Sequence, residues 1–99
     1  MADGKITLLC PIIGAPGKGA ALKAALLKLA AATVQEKGNI CYKLHATSNP
    51  DEFFIYEQWK DQAALDSHMN EPHLQNFLAD EDHLLAGEPA GKFVTELEA

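Results

Sequence analysis

The sequence of 99 residues predicts an α+β sandwich with the element order β-α-β-β-α-β. Three observations carry that expectation. Four runs are rich in β-branched and aromatic residues, two stretches place apolar residues at helical spacing, and Gly, Pro and Asn clusters separate them. The length suits one small domain, residues 1–99, with no room for a second.

The first run, Lys5–Ile13 (KITLLCPII), is a strand bounded by the turn "GAPGKG". Pro11 cannot donate to a ladder, so it should fall near the strand end or at a bulge. A helix then spans Lys18 to Lys37, with Leu22, Leu26, Leu29 and Thr33 forming one stripe. Its alanines raise helix propensity, and Lys37-Gly38 is the expected stop, with Gly free to turn left-handed.

Ile40–Thr47 is the second strand, with Ile40, Tyr42 and Leu44 on one side and Cys41, Lys43 and His45 on the other. After the turn "SNPDE" comes a third strand, Phe53–Trp59. Phe53, Ile55, Glu57 and Trp59 share one face, while Phe54, Tyr56 and Gln58 share the other. Asp61 can cap a helix over Gln62–Met69, and Glu71-Pro72 restarts it, running to about Leu85. "AGEPAG" breaks the chain before a last strand, Lys92–Glu98, with Phe93, Thr95 and Leu97 on one side. This order is that of the ferredoxin-like fold, with antiparallel strands in spatial order 4-1-3-2 and helices on one face. Large side chains on both faces of strand three call for a cover on the open face. A second copy packed sheet to sheet supplies one, because a symmetric dimer reuses the same patch.

The charge balance narrows the partners. Fourteen acidic residues against eight Lys, with no Arg, give a formal charge of −6. That argues against nucleic acid, which favours a basic stripe and bidentate Arg contacts, and against anionic membrane surfaces. No window approaches the ~18 consecutive apolar residues of a membrane span, and Ile6–Ile13 reads as a strand rather than a leader. A cytoplasmic protein is expected. Cys10 and Cys41 lie in non-neighbouring strands of this topology and are expected to stay unbridged, each acting as a small hydrophobe.

The block Glu57, Trp59, Ala64, Leu65, His68, Pro72 and His73 follows the pattern E-x-W-x-x-x-x-A-L-x-x-H-x-x-x-P-H. With "GAPGKG" before the first helix and "EKGNICYKLH" after it, the chain from about Ile6 to Leu97 resembles the antibiotic biosynthesis monooxygenase (ABM) family, in its quinol-monooxygenase-like branch. The resemblance implies a dimeric α/β barrel with a pocket between sheet and helices in each subunit. It also implies oxidation of a quinol, phenol or polyketide-like aromatic by dioxygen, without metal, flavin or other cofactor. The haem-degrading relatives use an Asn on the first strand, and this first strand has none. The autoinducer-processing branch resembles this chain at Glu36, Gly38, Asn39, His68 and His73 but tends to carry Tyr in place of Trp59. An isomerase or hydrolase of a small oxygenated metabolite is therefore the alternative enzyme, and a non-catalytic ligand-binding dimer is the other alternative.

Within this frame His68, on the apolar side of its helix, is the candidate base. Cofactor-free oxygenation begins by deprotonating an electron-rich phenol or hydroquinone, a task suited to a neutral imidazole. Its competing role is that of a satisfied core group. Trp59 is the second catalytic candidate, its indole walling the pocket and its N–H free to meet a substrate oxygen; packing is the alternative. Glu57, Tyr42, Phe77 and His73 are candidates for substrate binding. A buried Glu57 needs a partner, and its competing role is to fix a helix start or a dimer contact. Phe77 also reads as ordinary core, and His73 as a group that orients the second helical segment. His45 should face solvent or the partner, and His83 sits among Asp80, Glu81 and Asp82 on a solvated acidic face. No metal is expected, because His68 and His73 are poorly spaced across Pro72 and no carboxylate pattern completes a set. "GAPGKG" fits neither a P-loop nor a dinucleotide fingerprint.

Overall fold

The computed structural model describes residues 4–98. Strand β1 (Ile6–Ile13) leads into helix α1 (Gly19–Thr33), followed by strands β2 (Asn39–Ala46) and β3 (Glu52–Trp59). Two short helices, α2 (Gln62–Met69) and α3 (Pro72–Ala79), precede a two-residue strand β4 (Lys92–Phe93). The sheet order is β2-β3-β1-β4, and all pairs are antiparallel, as expected from the sequence.

Side-chain alternation sorts the sheet into a helix-covered face and an open one. Leu8, Cys10 and Ile12 of β1, Tyr42 of β2, and Phe53, Ile55, Glu57 and Trp59 of β3 are buried under the helices. The α1 stripe Leu22, Leu26, Leu29 and Thr33 packs onto them, and the Thr33 hydroxyl is satisfied by donating to Leu29 O at 2.8 Å. On the other face Leu9 and Ile13 are exposed and Phe54 and Tyr56 are half-buried. Both cysteines are free.

Pro11 lies inside β1 rather than at its end, opposite Phe54. Thr7 O and Ile13 O both accept from the C-terminal segment, so odd residues of β1 turn their backbone toward that edge. β4 pairs only with Leu8 and Leu9, so the missing Pro11 donor falls where no ladder strand runs.

Several features differ from the sequence expectation. α1 ends at Thr33, and Val34, Gln35 and Glu36 tighten into turns by donating to Ala30 O, Ala32 O and Thr33 O. Gly38 is not left-handed; its value is that a Cβ there would collide with Ala64. Ile40 leaves the Tyr42 face and is half-exposed, because a bulge between Asn39 and Cys41 shifts the register.

α3 stops at Ala79, where Asp80 adopts a left-handed φ of 50°. Its carboxylate accepts from Leu84 N (2.7 Å) and Leu85 N (3.1 Å), so these two leucines reach the core from a loop rather than a helix. β4 is confined to Lys92–Phe93, and Leu97 is exposed. Asp61 caps α2 as expected, its carboxylate accepting from Ala64 N at 2.9 Å, and Pro72 opens α3 at its first turn.

Candidate active site

Three segments distant in sequence meet beside the end of β3. Gly38 packs against Ala64, and that contact presses the α1–β2 turn onto the start of α2. One helical turn beyond Ala64 stands His68, so Glu36 in that turn comes within reach of its ring. His68 Nδ1 lies 2.8 Å from Glu36 Oε2, and His73 Nε2 lies 2.7 Å from the same oxygen.

An ionised carboxylate can only accept, so both imidazoles must donate to Glu36. That fixes the proton of a neutral His68 on Nδ1 and leaves the lone pair on Nε2. Among the described residues no side-chain N or O is buried away from solvent without a partner. His68 Nε2 makes no bond to protein, so it opens into the cavity that His68 lines.

That cavity measures about 320 Å³ and lies between the sheet and helices α1 to α3. Its volume is at the small end of ligand pockets, roughly 300–1,000 Å³. The sheet contributes Leu8, Cys10, Tyr42, Ile55 and Glu57; the helices contribute Leu29, Leu65, His68, Leu74 and Phe77. Pro89, Gly91 and Phe93 of the C-terminal segment also border it. Among the described residues the Tyr42 hydroxyl has no partner and, by the same reasoning as for His68, faces the cavity. Burial, then the charge of Glu57, pushes its ionisation well above the usual tyrosine range, so it stays a neutral donor. Burial likewise raises Cys10 to about 11, with Glu57 the second cause, so Cys10 lines the cavity as a thiol rather than a nucleophilic thiolate.

Trp59 differs from its expected place. It is fully buried, its ring 4.5 Å from that of His68, and its indole N–H donates to Glu57 Oε1 at 2.9 Å. The N–H is therefore committed to protein rather than to a substrate oxygen. Glu57 has the partner its burial demands, and burial still raises its pKa above the ordinary 4.5, against the lowering effects of the Trp59 bond and the His68 charge.

The sign of the resulting pH dependence follows. A folded state that holds a proton on Glu57 more tightly than the unfolded chain loses stability as pH rises through the interval between the two pKa values. Glu57→Gln keeps an oxygen for Trp59 and removes the charge. Denaturant midpoints of this variant should gain on the native protein from pH 4 upward and reach a plateau above the raised Glu57 pKa. Parallel pH profiles for the two proteins would rule out that assignment.

The candidate residues His68, Tyr42, Glu57 and Phe77 thus share one cavity, with Trp59 behind His68 and His73 beside Glu36. Glu36 was marked in the sequence only by its resemblance to the autoinducer-processing branch and given no role, since its partners lie 32 and 37 residues away and no local spacing links them. The expectation that no carboxylate joins the two histidines is also corrected: Glu36, His68 and His73 place their ligand atoms within 4.8 Å of one another.

Fold and site together define an α+β protein with a small, mostly apolar cavity and a carboxylate-fixed imidazole in its wall. The sequence profile of the family described as Antibiotic biosynthesis monooxygenase matches residues 12–80. The chain belongs to that family. It is similar to PA3566 of Pseudomonas aeruginosa, whose structure superposes with a TM-score of 0.86 at 32% identity over 96% of each chain. A Mycobacterium tuberculosis protein named "Putative monooxygenase Rv0793" is 28% identical over 80 residues, 81% of this chain and 79% of that protein. Its structure superposes with a TM-score of 0.83 over 96% of this chain and 97% of that one. SO0527 of Shewanella oneidensis superposes with a TM-score of 0.78 at 25% identity, covering 95% and 96% of the two chains.

Proposed function

We propose that this protein is a cofactor-independent monooxygenase, acting on a small quinol, phenol or polyketide-like aromatic, and that residues 1–99 form a single catalytic domain. The observation that carries this reading is His68, its Nδ1 held by Glu36 and its Nε2 lone pair open to the cavity. The substrate hydroxyl gives its proton to Nε2. The electron-rich anion then passes one electron to dioxygen, and the resulting pair combines into a C–O bond at a ring carbon. His68 returns its proton to the peroxide; loss of water, which also takes the hydrogen of that ring carbon, breaks the O–O bond and leaves one oxygen on the ring as a carbonyl. Tyr42 donates to a second substrate oxygen, while Phe77 and the aliphatic walls hold the ring. Trp59 and Glu57 support His68 from beneath, and His73 shares Glu36 with it. Dioxygen uptake with a panel of reduced quinones tests the reading; no uptake above the autoxidation blank for any of them sinks it.

The same base and donor could instead move a proton beside a carbonyl, which supports an isomerase of a small oxygenated metabolite. Turnover without dioxygen consumption would select it. Binding of quinones without turnover of any kind would leave a ligand-binding dimer.

The proposal includes a cytoplasmic homodimer formed by the open sheet face, where Leu9, Ile13, Phe54 and Tyr56 remain uncovered by the helices. Among the described residues no helix is long and apolar enough to cross a membrane. Light scattering should give twice the 10.7 kDa chain mass at micromolar concentration. A folded monomer there would contradict the dimer.

A further inference from the structure

We propose that Glu36, His68 and His73 form a binding site for a divalent transition-metal ion, with Zn²⁺ the natural probe, and that its occupancy switches His68 from proton acceptor to proton donor. The site goes beyond the oxygenase reading and stands whether or not the chain turns over a quinol.

The donor set is two imidazoles and one carboxylate, which is a familiar zinc set with a fourth position left for water or another small ligand. Tetrahedral zinc at about 2.0–2.2 Å from each atom needs neighbouring ligand atoms about 3.3 Å apart. Here Glu36 Oε2 stands 2.8 Å from His68 Nδ1 and 2.7 Å from His73 Nε2. The two hydrogen-bonded edges need to open by about half an ångström, and the third, between the two imidazole nitrogens, lies within the 4.8 Å that bounds the cluster and closes to about 3.3 Å by small side-chain rotations.

Proton bookkeeping is simple. Each neutral imidazole gives up the N–H that it donates to Glu36 and takes the proton on its other nitrogen, so the metal enters without net proton loss from the rings. For His73 the other nitrogen, Nδ1, faces Glu71 Oε1 at 4.0 Å. That is longer than a hydrogen bond, so Glu71 takes the part of the usual outer carboxylate of a metal-bound ring only where the two close by about 1 Å on binding.

An entry route is present. His73 borders a second groove between α1 and α3, whose wall includes the acidic run Asp80, Glu81 and Asp82. Those charges favour a cation over an anion on that side. The first cavity lies on the other side of the cluster, bordered by His68. With the metal on Nδ1, the proton of His68 must sit on Nε2 and point into that cavity. The group then donates a hydrogen bond where it would otherwise accept one, so a metal-loaded protein cannot use it as a base.

The test titrates untagged protein with Zn²⁺ against a chromophoric chelator, and with Co²⁺ by its visible spectrum. One site per chain is expected, with an intense four-coordinate cobalt spectrum. Removing an outer partner of a metal ligand costs about 10–100-fold in affinity, so His73→Ala and Glu36→Gln, which remove ligands themselves, should lose more than that. His83→Ala and His45→Ala, away from the cluster, should bind as the native protein does. Absence of saturable binding, or affinity unchanged in either His73→Ala or Glu36→Gln, overturns the site. Should Glu36→Gln fail to fold, the partly exposed His73 position decides the matter alone.

Discussion

His68→Ala is expected to lower oxygen uptake with a reduced quinone by roughly 10²–10⁴-fold, the usual contribution of a positioned general base. The side chain is the cavity group whose free lone pair is fixed in direction by a second residue. Removing it takes away the imidazole acceptor for the substrate proton, Glu57 in the same wall being already bonded to the Trp59 indole, and the ionised substrate becomes too scarce to reduce dioxygen. The loss should fall on kcat, because apolar walls and Tyr42 still hold the ring. His68 is almost completely buried, so circular dichroism must show that the variant remains folded. Glu36→Gln separates positioning from chemistry: the amide can turn its N–H₂ toward His68 and select the other tautomer. Its activity should lie between native and His68→Ala. Uptake undiminished in His68→Ala would remove the base from the mechanism altogether.

Trp59→Ala is expected to cost about 3–5 kcal/mol of stability, the range for deleting a large buried aromatic. A small domain has only about 5–15 kcal/mol in total, so the variant should approach the folding limit. Two effects add at this position. The indole fills space beneath His68 with no solvent exposure, and its N–H is the partner of a buried carboxylate. Trp59→Phe separates them by keeping a ring while leaving Glu57 without its donor, at about 1–3 kcal/mol. In the Trp59→Phe background, Glu57→Leu should recover part of that loss, and the double-mutant cycle measures the coupling. Additive losses would mean that the Trp59–Glu57 bond contributes nothing and that packing alone explains the position.

The fold was legible because its signals are local. The α1 stripe of Leu22, Leu26, Leu29 and Thr33, the alternation through Phe53 to Trp59, and the Asp61 cap each depend on residues a few positions apart. The element order then restricts the topology, and the observed sheet follows it. Periodicity misled where burial is achieved without regular structure. Leu84 and Leu85 carry on the α3 pattern, yet Asp80 has already turned the chain left-handed and holds them in a loop. β4 fails beyond Phe93 in the same way: alternating side chains do not make a strand unless a neighbouring edge pairs with them.

The sequence by itself determined the order of elements, the buried stripe of α1, and the placement of His68 on the apolar side of its helix. Only the tertiary structure decided what those residues do to one another. The Gly38–Ala64 approach brings Glu36 to both histidines, and the β3 face brings Glu57 to Trp59, turning a supposed substrate donor into an internal one. The reason is that proton direction and ligand geometry depend on distances of about 3 Å between side chains. Glu36 lies 32 residues from His68, and no periodicity along one element encodes such a distance.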